Sequence, residues 1–168
     1  MNTKWKCNHC NEWHTELPFA YGPQYPDPYF AVPEEEREER VIMDKDFCMI
    51  DDEHFFTRGR LEIPVVDSDD VFVWNVWVSL SKSNFDRSIE LLETEGRESE
   101  EPYFGWLCNN LAIYPETSLL KTHVHTAPVG MLPTIELEPT DHPLAIEQRE
   151  GITVERVKEI ASLLLHQE

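Results

Sequence analysis

The sequence lacks the short motifs that mark the common enzyme classes. It has six glycines in 168 residues and no glycine-rich loop of the kind that cradles a phosphate group. It contains neither the G-x-S-x-G turn of serine hydrolases nor the H-E-x-x-H pair of zinc proteases. These absences argue against a standard enzyme class.

Basic residues and long apolar runs are also scarce. There are 14 Lys and Arg against 33 Asp and Glu, which gives a formal net charge of −19. Such a surface repels nucleic acid and anionic membranes, so we expect neither as a partner. It fits high solubility alone, or docking on a basic protein partner.

No segment is long and apolar enough to cross a membrane. The most apolar stretch, "VFVWNVWVSL" (71–80), is about half of a membrane-spanning helix and contains Asn75. The first residues, "MNTKWKC", lack the apolar centre of a secretory signal. We therefore expect a cytoplasmic protein with cysteines that are reduced or bound to metal.

The chain has four cysteines, and two of them stand three apart in "KWKCNHCNEWH" (4–14). A C-x-x-C turn lets two thiolates bind one ion, and tetrahedral zinc then needs two more ligands. His14 has a workable spacing for the third ligand, Cys48 is the predicted fourth, and His9 is a spare. The sequence predicts structural zinc on Cys7, Cys10, His14 and Cys48, with no open position for a substrate.

Two other interpretations of the cysteine turn stay open. Cys7 and Cys10 are either ordinary reduced thiols or a redox-active pair. A redox pair needs a thioredoxin-like strand–helix–strand context, and the neighbouring sequence does not supply one.

The pattern predicts one compact domain with an N-terminal arm over residues 1–33 and a body over 34–168. Residues 18–33, "PFAYGPQYPDPYFAVP", are rich in Pro and Tyr, so we expect them to wrap over the surface. The charged run "EEEREERV" (34–41) predicts one solvated helix.

Strand patterns dominate the middle of the body. Residues 46–59 predict a hairpin that turns at Asp51–Asp52–Glu53, and residues 71–80 predict a strand whose even-numbered face points to the core. Residues 60–67, 118–130 and 131–139 predict further strands, whereas "PYFGWL" (102–107) is interpreted as an aromatic loop.

Helical patterns follow the strand patterns. A helix is predicted to begin near Ser83, with Asp86 completing a capping box, and another is predicted over 153–167 with Thr153 as its N-cap. Residues 140–152 predict a short capped helix with Pro143 at its first position. This order predicts an α+β fold, with an antiparallel sheet and two main helices packed on it.

A second cluster of chemically capable residues follows residue 120. His123 and His125 are two apart on a predicted strand, so they face the same side, and Asp141, His142 and Glu147 follow after a loop. They are candidates for a catalytic metal or for acid–base work, while hydrogen-bonded surface histidines and an Asp141 helix cap are the simpler interpretation.

Two arginines are notable in so acidic a chain. Arg58 and Arg60 alternate onto one face of a predicted strand, and the simplest expectation is that they pair with the surplus carboxylates.

Four stretches carry a resemblance to a known family. They are "FFTRGRLEIPV", "FVWNVWVSLS", "PYFGWLCNNLAIYPETSLLKT" and "EPTDHPLAIEQREGI". With the N-terminal "CNHC", the chain resembles a bacterial domain-of-unknown-function family of uncharacterised cytosolic proteins. The resemblance implies a fold unit and a compartment, but no activity.

These observations favour a zinc-stabilised acidic protein with a binding or regulatory role, similar to that of an immunity protein. The alternative is a metal-dependent hydrolase, or another enzyme, that uses the histidines and carboxylates listed above.

Overall fold

A computed structural model describes residues 5–7, 10, 12–14 and 17–165 of the chain. Ten strands lie within these ranges. They are β1 (Trp5–Lys6), β2 (Trp13–His14), β3 (Ala20–Tyr21), β4 (Val41–Met43), β5 (Phe47–Ile50), β6 (His54–Pro64), β7 (Val71–Leu80), β8 (Tyr103–Leu107), β9 (Lys121–His125) and β10 (Thr134–Leu137).

The helices of the described residues are short. The α-helices are α1 (Arg37–Arg40), α2 (Lys82–Glu90), α3 (Pro143–Glu150) and α4 (Val154–Leu165). Single 3₁₀ turns occupy Asp27–Ala31, Glu34–Glu36 and Arg97–Ser99. The predicted helix over 34–41 therefore consists of a 3₁₀ turn followed by α1.

The centre of the molecule is a closed barrel of five strands. Strands β6, β7, β8, β9 and β10 pair in that order, each antiparallel to the one before it. Strand β10 then returns to β6 in parallel, with Thr134 opposite Arg60. Strands β5 and β4 extend the sheet from β6, and β3 adds to β7 in parallel.

The predicted arrangement, an α+β fold with two main helices packed on an antiparallel sheet, is therefore wrong. The fold is mostly sheet, and its longest described helix, α4, has 12 residues. Strand alternation predicts which side chains face inward, but it carries no information on whether the first and last strands meet. Twist and coiling of the long β6–β7 pair bring those edges together.

Strand β8 replaces the predicted aromatic loop over 102–107. Tyr103, Gly105 and Leu107 face inward, while Phe104 and Trp106 lie on the outside. Aromatic residues on both faces hid the alternation that predicts a half-buried strand.

The even-numbered face of β7 lines the barrel interior, as predicted. Phe72, Val76 and Val78 on this face are 0% exposed. The odd-numbered face is also partly covered, because Val73 is buried and Trp77 packs in a second apolar cluster with Val32. The strand is thus buried on both sides at these positions.

Residues 18–33, the wrap segment, are held down by one buried side chain from elsewhere in the chain. The Asn109 amide donates to Tyr25 O at 3.0 Å and to Asp27 Oδ1 at 3.3 Å. Its Oδ1 accepts from Trp77 N at 2.7 Å. Asn109 thereby satisfies a backbone group of β7 that has no strand partner there, and it fixes the wrap segment at the same time.

The parallel seam of the barrel is completed by a side chain from α3. Strands β10 and β6 share a single register pair, so the ladder leaves neighbouring backbone groups unpaired. Gln148 Oε1 accepts from Leu137 N at 2.8 Å, and Gln148 Nε2 donates to Ile135 O at 2.8 Å and to Glu62 O at 3.4 Å. The amide side chain takes the place of a strand backbone in this gap.

Two helix starts differ from the prediction by one or two residues. Ser81, not Ser83, caps α2, since its hydroxyl accepts from Asn84 N at 3.1 Å. His142, not Asp141, caps α3, with its Nδ1 accepting from Leu144 N at 3.1 Å. The expected role of Thr153 at the start of α4 is confirmed, because its hydroxyl accepts from Arg156 N at 3.2 Å.

Candidate metal centre

The N-terminal cysteine turn sits on a two-stranded ribbon. Strand β1 pairs antiparallel with β2, with Trp5 opposite His14 and Lys6 opposite Trp13. Beyond the paired residues, Cys7 N donates to Glu12 O at 2.9 Å. This hairpin brings the residue at the end of β2, His14, back beside the C-x-x-C segment.

Cys7, Cys10 and His14 converge, and their candidate ligand atoms all lie within 4.8 Å of one another. Cys10 Sγ and His14 Nε2 are 3.4 Å apart. Ligands bound to one tetrahedral zinc ion at ordinary Zn–S and Zn–N distances stand about 3.5 Å apart. Two thiolates and one imidazole so close together could hold a metal ion.

The cluster packs on the last described helix. Trp5 is 2% exposed and Cys7 is 0% exposed, and both lie in an apolar cluster with Ala161 of α4. The rings of Trp5 and His14 are 4.9 Å apart, so the indole helps to position the imidazole. An ion bound here would cross-link the ribbon while Trp5 anchors it to α4.

The pKa of Cys10 reflects several opposing contributions. The hydrogen bond with the Glu12 backbone lowers this pKa, but desolvation and the neighbouring Cys7 side chain together raise it above the ordinary value of a thiol. The Cys10 thiol is therefore harder to ionise without a cation beside it, and a metal ion bound there would displace its proton.

The structure does not bring Cys48 to this cluster. Cys48 lies on β5, 0% exposed, in the apolar cluster that contains Phe56, Trp77 and Cys108. Burial raises the pKa of its thiol to about 11, as expected for a packing residue and not for a metal ligand. The group within the described ranges has three members, and His9 lies outside those ranges.

His123 and His125 face the same side of β9, as their spacing predicts, but each meets a carboxylate on β10 or directly after it. His123 Nε2 is 3.3 Å from Glu138 Oε2, and His125 Nε2 is 2.9 Å from Glu136 Oε1. These are cross-strand pairs on the outer face of the sheet.

His142 is occupied as the cap of α3. Its Nδ1 accepts from Leu144 N, and its Nε2 lies 3.1 Å from both Pro115 O and Glu116 O. The adjacent Asp141 is exposed. The His142 ring therefore joins α3 to the 115–116 turn.

Glu147 belongs to a polar network that ties α3 and α4 to the barrel. Its Oε1 accepts from the Tyr114 hydroxyl at 2.6 Å, and its Oε2 lies 2.8 Å from Arg156 Nε. The Tyr114 oxygen in turn accepts from Trp74 Nε1 at 3.2 Å. Burial and the adjacent Glu147 carboxylate raise the pKa of Tyr114. His123, His125, His142 and Glu147 thus each have partners of their own.

Arg60 has the expected carboxylate partner, and Arg58 does not. Arg60 Nε lies 3.2 Å from Glu62 Oε2. Arg58 makes no ion pair within the part of the chain that the structure describes, and its Nε is buried without an acceptor.

Sequence reasoning missed Asn109 and Gln148, which join distant segments. Neither amide belongs to a periodic pattern that would mark its role in the sequence. The available signal is the expectation that a buried amide is fully hydrogen-bonded.

None of the helices in the described ranges is both long and apolar enough to cross a bilayer.

The fold and the site together define the class of protein: it is a mostly-sheet protein with an N-terminal Cys/His cluster. A family model described as "uncharacterized protein conserved in bacteria" (DUF2199) matches residues 6–152, so the chain belongs to that family. The match begins immediately before Cys7 and ends after α3. Comparison with curated proteins gave no match, and comparison with solved structures gave none.

Proposed function

We propose that the chain is a zinc-stabilised binding or regulatory protein, similar in role to an immunity protein, that acts in the cytoplasm. The observation that carries the proposal is the convergence of Cys7, Cys10 and His14 within 4.8 Å. Zinc bound there has a structural role, because it would fix a ribbon that packs against α4.

The cysteines support a reducing compartment. No disulfide joins any of the four. Cys48 and Cys108 are buried away from the group of Cys7, Cys10 and His14. Cys7 and Cys10 lie beside His14, where a bound metal ion would replace the protons of their thiols.

Metal analysis of the purified full chain tests the zinc site. We expect about one zinc per chain in wild type, and loss of that zinc in Cys7→Ser, Cys10→Ser and His14→Ala. Cys48→Ala is the matched control and keeps its zinc, since Cys48 lies in a different cluster. His9→Ala then shows whether His9 supplies the remaining ligand.

Two results contradict the zinc proposal. One is wild-type protein without stoichiometric metal after purification in the absence of chelators. The other is zinc that remains bound in Cys7→Ser but is lost in Cys48→Ala.

The acidic surface supports the second part of the proposal, a basic protein partner. Exposed carboxylates cluster in two described segments. These are Glu34, Glu35, Glu38 and Glu39 in the first and Glu93, Glu95, Glu98 and Glu101 in the second. Clustered charge of one sign speeds capture of a partner of the opposite sign.

Pull-down from the native host at low and high salt tests the partner. We expect a basic protein that is retained at low salt and released at high salt. Replacing the four glutamates of one segment by glutamine, with the other segment as the matched control, identifies the docking surface. If retention is independent of salt and of both sets of substitutions, electrostatic docking is excluded.

A further inference from the structure

Three buried side-chain nitrogens without an acceptor lie along one stretch of the outer sheet face. They are Arg58 Nε, Arg60 Nε and Trp77 Nε1, and they form no hydrogen bond within the described part of the chain. Arg58 stands directly opposite Trp77 in the β6–β7 pairing, and Arg60 is the next residue on the same face, opposite Asn75. The unsatisfied donors thus belong to one patch.

Arg58 differs from the other arginines of the chain. Arg40, Arg87 and Arg156 form ion pairs with carboxylates. Arg37, Arg97 and Arg149 donate to backbone carbonyls. The guanidinium of Arg58 has no such partner in a protein with 33 Asp and Glu, so the fold keeps this cation away from an abundant supply of carboxylates.

Trp77 adds a neutral donor at the most buried point of the patch. It is 1% exposed and packs with Val32 of the wrap segment and Cys108. A buried indole N–H ordinarily finds an acceptor, because leaving it unpaired costs free energy. An oxygen atom of a bound ligand would supply the acceptor that the Trp77 indole N–H lacks.

The wrap segment fixes one edge of the patch. Gly22 lies so close to β7 that a Cβ there would stand 2.0 Å from Asn75 O. Arg60 is steered by Glu62, whose carboxylate is within ion-pair distance but not aligned for a hydrogen bond with Arg60 Nε. The wrap segment therefore borders the patch, and Glu62 restricts the position of Arg60 within it.

We propose that Arg58, Arg60 and Trp77 bind the oxyanion group, a carboxylate or a phosphate, of a small molecule. A planar guanidinium presents N–H groups spaced for two oxygens of such a group, and hydrogen bonds to an ionised acceptor are the stronger kind. The strongly acidic remainder of the surface disfavours polyanions, so the ligand carries one anionic group and not many.

Titration of the zinc-loaded full chain with inorganic phosphate and, separately, with acetate tests the site. The readout is the indole ¹H–¹⁵N signal of Trp77, assigned with Trp77→Phe, at constant ionic strength adjusted with sodium chloride. We expect a saturable shift with at least one of the two anions. Tighter saturation by phosphate assigns a phosphate ligand, and tighter saturation by acetate assigns a carboxylate.

Arg58→Gln and the matched variant Lys45→Gln separate the site from general charge effects. Each removes one positive charge, and Lys45 is exposed. We expect the affinity to fall about tenfold or more in Arg58→Gln, as for loss of a charge-assisted pair, and to stay unchanged in Lys45→Gln. Absence of a saturable Trp77 response, or equal responses in the two variants, overturns the proposal.

Arg58→Met tests whether Arg58 is instead required for folding. In chloride buffer we expect its Tm to equal or exceed that of wild type, because an uncompensated buried donor is removed. We also expect it to lose the rise in Tm that the binding anion gives wild type. A large drop in Tm in chloride would assign Arg58 a structural role and overturn the proposal.

Discussion

The barrel and the N-terminal ribbon are stabilised in different ways within one chain. In the barrel, each of the strands β6 to β10 has a neighbour on both sides, and apolar residues fill the interior. The ribbon has only two register pairs and one small apolar cluster. A sheet that closes on itself needs no ligand, whereas a two-stranded ribbon is marginal alone and gains from a metal cross-link.

The four cysteines divide between these two regions. Burial raises the pKa of both Cys48 and Cys108 to about 11, so they act as small apolar residues beside the barrel. Cys7 and Cys10 face His14 in the ribbon. One residue type thus serves packing in one region and proposed metal binding in the other.

Gly59→Val should break the barrel most severely. A Cβ at position 59 would lie 2.4 Å from Ile135 Cδ1, at the point where β6 meets β10. We expect a loss of about 3 kcal/mol or more in the free energy of unfolding, measured by urea denaturation. Gly96→Ala is the control: its Cβ meets open space, so the only expected cost is the roughly 1–2 kcal/mol of placing an L residue at a φ of 83°. Equal losses in the two variants would mean that closure at this position does not control stability.

Gln148→Leu tests whether the seam depends on a side chain. The substitution keeps the volume but removes one acceptor and one donor group that serve three backbone atoms. We expect a loss of about 2–4 kcal/mol in unfolding free energy, because these part-buried groups would have no partner. Glu150→Leu, at an exposed position of the same helix, should change stability by less than about 0.5 kcal/mol. A Gln148→Leu variant as stable as that control would show that the amide is dispensable.

Thiol alkylation sharpens the contrast between the two cysteine pairs. With a chelator at pH 8, we expect the rate at Cys7 and Cys10 to rise about tenfold or more over that of the zinc-loaded protein. Cys48 and Cys108, each with a pKa of about 11, should stay unreactive in the folded state, since roughly one in a thousand is ionised at this pH. Mass spectrometry of peptides measures all four, and faster labelling of Cys48 than of Cys10 would contradict this division.

Acid titration of Asp51→Asn should give the smallest effect. Hydrogen bonds from Arg40 lower the pKa of Asp51 below its ordinary value. The Asp51–Arg40 pair therefore stabilises the fold fully above the pKa that Asp51 has in the unfolded chain. This stabilisation is lost as the pH falls through the pKa of Asp51 in the folded protein. We expect wild type to lose more stability than Asp51→Asn between about pH 5 and pH 2, measured as Tm.

Asp52→Asn is the matched control, because Asp52 has a similar φ, 53° against 56°, and no described ion pair. If Asp51→Asn and Asp52→Asn show the same acid profile, the Arg40 pair contributes nothing measurable.

The sequence predicted local features well where one residue type decides them. The turn after β5 is confirmed, with Asp51 and Asp52 both at positive φ, a conformation that Asp tolerates better than most residues. The inward face of β7 is confirmed because strand alternation is a strong signal. The spacing of Cys7, Cys10 and His14 likewise predicted a group that does converge.

Long-range features could not be predicted in the same way. Barrel closure depends on accumulated twist, and the position of Cys48 depends on which strand neighbours which. Ser81 and Ser83 are chemically equal as caps, so the packing of Phe85 selects the helix start. The role of Gln148 exists only once two distant strands are in place.

Two long-range contacts have a consequence for synthesis on the ribosome. They are the hydrogen bond from Asn109 to the wrap segment and the β6–β10 pairing that closes the barrel. Tyr25 leaves the exit tunnel 84 residues before its amide partner, and Arg60 leaves it well before Thr134. Until then Val32 of the wrap segment cannot complete its apolar cluster with Trp77 and Cys108. The nascent chain is therefore most exposed to aggregation and to chaperone capture while its middle third is being translated.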